Sequence, residues 1–218
     1  MRNRKLPTLI IATRVSRPWN ISAIVDSLRH AFDRAADGCP VAWYLLCDTR
    51  SVAKIEVPKA IAHSGITLGV TFFERVVTGP KIYPAMCNSL LDWACESIPV
   101  ARQEQRPSPW VVFIDDDTIV HEDLISEISA TMENFPEAVA VWVQQVRTDG
   151  RILSNCNFSI GQIDIGQGIM NLGKIPAMRH RESAGYENDG DFFCQVNARH
   201  GRECVRIDKI LSLHNGLA

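Results

Sequence analysis

Five apolar residues, Trp110-Val-Val-Phe-Ile114, run straight into three aspartates, Asp115-Asp116-Asp117. The apolar run has no alternation, so it reads as a central parallel strand covered on both faces. The aspartates then lie at its carboxyl end. In extended backbone alternate side chains share a face, so Asp115 and Asp117 are expected to point the same way. Adjacent carboxylates repel, and burying them is costly unless the charge is compensated. A divalent cation is the natural compensator, and an all-oxygen site suits magnesium or manganese. The plain alternative is a solvated acidic loop. Three acids directly behind a buried strand weigh against it.

The strand sits in an alternating pattern. Leu9 to Ala12 reads as a buried strand, and Pro18 opens a helix whose apolar face is Ile21, Ile24, Val25, Leu28, Phe32 and Ala35. Val41 to Cys47 is a second strand ending at Asp48, and Ile66 to Phe73 is a third. The spacing of Tyr83, Met86, Cys87, Leu90, Leu91, Ala94 and Ile98 predicts one continuous helix, followed by a loop from Arg102 to Pro109. After the aspartates come a helix (Leu124, Ile125, Ile128, Met132), a strand from Ala138 to Val143 and a turn at Thr148-Asp149-Gly150 leading to Ile152-Leu153. Gly161 to Gly173 reads as a glycine-rich loop, a plausible lid. A helix with Phe192, Phe193 and Val196 and a strand from Val205 to Leu213 close the chain. Repeated strand and helix units around a buried strand imply an open α/β sheet, with ligands beyond the carboxyl ends of its strands. Asp48 and the three aspartates fall there.

Length and charge narrow the classes. A chain of 218 residues suits one sizeable α/β domain. A formal charge of -2 points neither to nucleic acid nor to an acidic membrane surface. The apolar run behind the basic start is too short for a secretion signal, and no stretch approaches a membrane span. These features suggest a cytoplasmic protein, or a domain of a longer one, with peripheral membrane attachment left open. Seven cysteines without Cys-x-x-Cys spacing argue for reduced thiols, not a zinc ribbon or disulfide framework.

Two further constellations could carry chemistry. Glu187-Asn-Asp-Gly-Asp-Phe-Phe193 places three acids at a helix start. Capping and the helix dipole account for one or two of them, and a third exceeds what a cap needs. His214 ends the last strand. Alone, such a histidine is more often structural than a ligand.

Taken in order, these segments resemble the GT-A nucleotide-sugar glycosyltransferases of the inverting, Asp-x-Asp metal-dependent type. The match runs through Ile10-Ile-Ala-Thr-Arg-Val-Ser-Arg-Pro18, Asp48, Phe113-Ile-Asp-Asp-Asp117, Asn188-Asp-Gly-Asp-Phe192 and His214. It spans nearly the whole chain, and the order carries more weight than any single short motif. Asn188 departs from it, since many members have Glu there. The resemblance implies a GT-A fold, a Rossmann-like and mostly parallel mixed sheet flanked by helices. It further implies one domain over 1–218, with a nucleotide-binding half (1–117) and an acceptor-side half (118–218). The donor would be a nucleoside diphosphate sugar, with uridine the expected base. The acceptor would be a hydroxyl of a glycan, a lipid-linked sugar or a small molecule. Asp48 would contact the base, and Asp115 or Asp116 the ribose. Asp117 and His214 would hold Mn2+ or Mg2+. Asp189 would be the base in an inverting attack, with Glu187 open as the alternative and Asp191 nearby. Arg17, Lys81 and Asn88 are further donor contacts, and Asp164 and Gln167 would lie near the donor sugar or acceptor.

Other readings stand beside it. A haloacid-dehalogenase-type phosphatase would use Asp115 as nucleophile and Asp117 as acid/base, but that motif belongs at the start of its domain. A sugar nucleotidyltransferase would need a glycine-rich loop after the first strand, and Ala12 to Pro18 has no glycine. A non-catalytic nucleotide- or carbohydrate-binding module would show donor binding without turnover.

Overall fold

Every residue of β1 (Leu9–Val15) is buried, and its alternate side chains feed two different cores. Leu9, Ile11 and Val15 pack on one face, and Ile10 and Ala12 on the other. This is the period-two geometry of a strand at the centre of a layered α/β fold. The computed structural model describes residues 5–35, 39–48, 67–73, 82–159, 161–175, 177–181 and 188–217.

Among the described residues the remaining strands are β2 (Val41–Asp48), β3 (Thr67–Phe73), β4 (Trp110–Phe113), β5 (Ile119–Val120), β6 (Ala140–Arg147), β7 (Ile152–Leu153), β8 (Gly168–Asn171) and β9 (Cys204–His214). They form one sheet in the order β3-β2-β1-β4-β8-β6-β9-β5, with β7 paired to β6. The first four in that order are parallel. At β4 the direction changes, because β8 runs antiparallel to both β4 and β6. β4 is therefore central and buried as expected, but parallel on one side only. β9 is parallel to β6, and irregularities in its register fall beside Gln144 and Gln145.

The helices are α1 (Ile21–Arg34), α2 (Ile82–Cys95), α3 (Ser97–Gln103), α4 (Leu124–Asn134) and α5 (Asn188–His200). α1 and α4 cover the face of Leu9 and Ile11, while α2, α3 and α5 cover that of Ile10 and Ala12. The expected helix at Pro18 starts later. A 3₁₀ turn, Pro18–Asn20, comes first, with the Asn20 amide donating to the Asp116 carbonyl at 2.9 Å. The single helix expected through Ile98 is two helices. Ser97 Oγ donates back to the Ala94 carbonyl at 2.5 Å, and a hydroxyl that competes for a helical carbonyl favours such a break. All seven cysteines are free thiols, of which Cys156 is exposed. Among the described residues no helix is long and apolar enough to cross a membrane.

The expected loop from Gly161 to Gly173 is replaced by a 3₁₀ turn, Ile165–Gln167, running into the fully buried β8. Glycine is used there for close approach, not flexibility. A Cβ on Gly168 would lie 2.6 Å from Phe193 Cε1 and 2.9 Å from Trp142 Cζ3. Both rings are fully buried, so neither can move aside. Gly168→Ala should therefore cost about 1–3 kcal/mol, the usual penalty of overpacking, read from chemical denaturation. A neutral substitution would show that this segment is not packed as a strand.

Candidate active site

β1 and β4 are parallel neighbours, so their carboxyl ends bring Arg14 and Asp115 together. Arg14 follows Ile10 and Ala12 on the side of the sheet facing α2 and α5. An arginine in such a strand needs a partner, and three hydrogen bonds to Asp115 supply it: 2.9 Å from Nε and 2.6 and 2.5 Å from Nη2. Tyr83 of α2 lies under the guanidinium, 5.1 Å away. Burial opposes the charge on Arg14, but Asp115, Cys87 and Asp189 together hold its pKa well above the usual value. One cation thus collects groups from β4, α2 and α5.

The next two aspartates turn elsewhere. β4 ends at Phe113, and the amide of Thr118 donates to the Asp115 carbonyl at 3.0 Å, closing a turn. Strand alternation stops there, so Asp115 and Asp117 do not share a face as expected. Asp116 and Asp117 share Arg17 instead, at 2.8 and 2.7 Å. Asp116 is 2% exposed. It accepts from the Ser16 amide at 2.5 Å, from Ser16 Oγ at 2.9 Å, from the Arg17 amide and from Arg17 Nε at 3.0 Å. It is a latch that ties the loop after β1 to the turn after β4. Asp117 has a weaker hold, one bond from Arg17 and a 3.5 Å contact from Thr118 Oγ1. The Arg17 side chain is 33% exposed while that of Asp117 is 6% exposed, so it is the arginine end of the pair that reaches water.

β9 ends on this turn. Leu213 pairs with Ile119, and the Leu217 amide donates to the Asp117 carbonyl at 3.2 Å. His214 is mostly buried, and its Nδ1 lies 3.6 Å from Asp164, too far for a hydrogen bond, and has no other hydrogen-bond partner. Asp164 caps the 3₁₀ turn by accepting from the Gly166 amide at 3.2 Å. Burial pushes its carboxyl up, His214 works against that shift, and Asp115 adds to it.

At the start of α5, Asp189 and Asp191 diverge. Asp191 accepts from Gln195 at 2.9 Å and faces Arg181 at 3.4 Å. Asp189 instead lies by Arg14 and Cys87, and its carboxylate, the Cys87 thiol and the His180 ring lie within 4.8 Å of one another. Asn88 holds the backbone of His180 at both ends, accepting from its amide at 2.8 Å and donating to its carbonyl at 2.9 Å. Gln167 is fully buried, and its amide donates to the carbonyls of Val143, Leu153 and Ser154. Asn88 and Gln167 thus hold backbone. Asp48 ends β2 on the same edge of the sheet. The side chain of Asp48, and Lys81 and Glu187, lie outside the described residues.

Arg14 and Ser16 lie within the run that carries the resemblance but had no assigned role, and Cys87 and His180 were not expected at the site. Arg14 had a signal, a charge inside the buried run Leu9–Val15. Cys87 and His180 had none, since only packing brings them to Asp189.

No family profile matches the sequence, and no curated protein does. Solved structures do match. S. aureus TarS superimposes with a TM-score of 0.66 at 14% identity, over 95% of this chain and 60% of that one. The chain therefore spans less than two thirds of that relative. The fold is GT-A. The mannosyltransferase PcManGT from Pyrobaculum calidifontis, in complex with GDP-Man and Mn2+, matches with a TM-score of 0.57 at 10% identity, over 98% of this chain and 58% of that one. Glucosyl-3-phosphoglycerate synthase from Mycobacterium tuberculosis matches with a TM-score of 0.58 at 12% identity, over 96% and 72%. TarS has also been solved with UDP and with UDP-GlcNAc. With the GT-A sheet in place, the phosphatase alternative loses its scaffold. Its would-be nucleophile, Asp115, is also paired with Arg14 through three hydrogen bonds.

The different bonding of Asp116 and Asp117 separates latch from site. Asp116→Ala leaves two backbone amides and a guanidinium without their acceptor. It should cost about 3 kcal/mol in a denaturant melt, near the range for breaking a buried pair. Asp117→Ala should cost less, about 1–2 kcal/mol, because it gives up one bond from Arg17, whose side chain reaches water. Equal losses would show that the two carboxylates do not differ in this way.

Proposed function

We propose that the protein transfers a sugar from a nucleoside diphosphate donor to an acceptor hydroxyl, with inversion, in a metal-dependent reaction in the cytoplasm. The observation behind this reading is that Arg14 links Asp115 with Asp189, and Asp164 lies within reach of both Asp115 and His214, at the carboxyl ends of β1 and β4 in a GT-A sheet. The structural relatives bind UDP, UDP-GlcNAc and GDP-Man.

The donor base lies at the end of β2 by Asp48, within the nucleotide half (1–117), and uridine is its base. Asp115 is the better candidate for the ribose, because Asp116 is sealed within its latch. Asp117 and His214 would hold Mg2+ or Mn2+. Two features fit them to a cation. A guanidinium already stands where Asp117 needs positive charge, and His214 has a buried ring nitrogen without a hydrogen bond. A bound ion stabilises negative charge on the leaving diphosphate. Arg17 yields Asp117 and is free to meet a phosphate. Lys81 stays a donor-side nomination.

The acceptor, a glycan, a lipid-linked sugar or a small molecule, enters from the half formed by 118–218. Its oxygen attacks the anomeric carbon while the bond to the diphosphate oxygen breaks, and that electron pair leaves with the phosphate. Asp189 takes the hydroxyl proton. Arg14 lies between Asp115 and Asp189, so it orients both and offsets their mutual repulsion. Attack opposite the leaving group inverts the centre, as in single-displacement glycoside chemistry. Glu187 and Asp191 border the acceptor side, and Asp164 sets the floor beside His214.

Two measurements test this reading. Titrating UDP with manganese into Asp117→Ala should show loss of the metal-dependent part of binding. His214→Ala should weaken manganese binding through loss of a ligating nitrogen. Unchanged manganese dependence in both variants would remove the metal from this site. Separately, Asp189→Asn should retain donor affinity while transfer at saturating donor falls ~100-fold or more. Near-normal transfer in a folded variant would assign the base elsewhere, with Glu187→Gln the next to examine.

A further inference from the structure

The thiol, imidazole and carboxylate beside Arg14 differ in kind from the donor-side ligands. We infer that Cys87, His180 and Asp189 form a second cation site, selective for zinc over manganese or magnesium. The three come from α2, the 177–181 segment and the first turn of α5. Their ligand atoms lie within 4.8 Å of one another. Tetrahedral zinc, with bonds of about 2.0–2.3 Å, needs ligand atoms roughly 3.3–3.8 Å apart, so a pair at the 4.8 Å limit must close by about 1.0–1.5 Å.

The surroundings hold the set in place. Cys87 is fully buried and His180 is 3% exposed. Two hydrogen bonds between Asn88, the residue after Cys87, and the His180 backbone, one in each direction, tie that backbone to α2. The His180 ring stacks on Phe192 of α5 at 4.1 Å and 11°, and meets Phe113 edge-on at 5.9 Å. The histidine is thus clamped between the helix that carries the thiol and the helix that carries the carboxylate. Such fixing of a ligating ring is what a metal site requires.

Charge also allows it. The nearby cation, Arg14, is already bound to Asp115 through three hydrogen bonds. Asp189 and a Cys87 thiolate would bring two negative charges to a divalent ion. Without metal the thiol keeps its proton, since burial pushes its pKa well up against the pull of Arg14. Binding breaks the S–H bond, forms S–Zn and releases that proton to solvent. Thiolate excludes the harder manganese and magnesium ions, while zinc accepts sulfur, nitrogen and oxygen together. One consequence rests on the reading of Asp189 as the base. Zinc at this site takes the carboxylate from the acceptor proton and inhibits transfer even with the donor-side metal present.

Zinc titrated against a chromophoric chelator into the full chain carrying Asp117→Ala reports this site with the donor side disabled. The expected result is one tightly bound zinc with release of at least one proton. Adding Cys87→Ser should weaken binding roughly 100-fold or more, at or beyond the upper end of losing a supporting group. Cadmium in place of zinc should give a thiolate charge-transfer band that vanishes in Cys87→Ser and survives Cys156→Ser, the exposed cysteine. Cys87→Ala serves if Ser does not fold. If neither folds, the cadmium band and proton release in the parent decide. Equal zinc affinity with and without Cys87, or a band lost with Cys156 alone, would overturn the site. Zinc bound through Cys87 without any effect on transfer by the wild-type chain would keep the site and remove Asp189 as the base.

Discussion

Asp116 is a carboxylate with almost no access to water, and the geometry around it depends on the loop after β1 supplying its partners. A buried acid is tolerable only with a full set of donors, because leaving it unpaired costs several kcal/mol. Ser16 and Arg17 provide two amides, a hydroxyl and a guanidinium. The Asn20 amide then binds the Asp116 carbonyl at 2.9 Å and the Leu217 carbonyl at 3.3 Å. Three stretches far apart in sequence are thus held as one rim at the end of the sheet. The position of Asp117 and the end of β9 follow from that rim.

The two arginines divide the work. Arg14 is sealed and fixed, so it sets the positions of Asp115 and, through proximity, the start of α5. Arg17 is partly exposed, so its contact with Asp117 is exchangeable. A site that must admit a charged donor needs both kinds, a rigid frame and a cation that can give way.

The change of direction at β4 matters for the same reason. On one side parallel strands deliver Arg14, Asp48 and Asp115 to a common edge. On the other, β8, β6 and β9 bring Asp164 and His214 to that edge from antiparallel and parallel neighbours. Gly168 allows this by letting β8 pass against Phe193 and Trp142, so the packing of α5 and the closeness of β8 to β4 are one constraint.

Local chemistry determined much of this in advance. The apolar run Trp110–Ile114, the facing residues of α1 and the acid-rich start of α5 are periodic or compositional signals, which the chain must obey wherever it folds. They sufficed for the α/β class, the central strand and the singling out of the Asp115–Asp117 run, whereas the roles of Asp189 and His214 were implied by the resemblance to GT-A glycosyltransferases. Other features needed the folded chain. Gly161–Gly173 looked like a loop because glycine signals flexibility and close packing alike, and only the presence of Phe193 and Trp142 separates the two. The aspartates looked alike because nothing in their neighbours says which meets Arg14 and which meets Arg17, each about a hundred residues away. Cys87 and His180 carry no pattern at all. Their placement beside Asp189 is set by Asn88, Phe192 and the sheet beneath both helices, contacts that exist only once helices distant in sequence share one face.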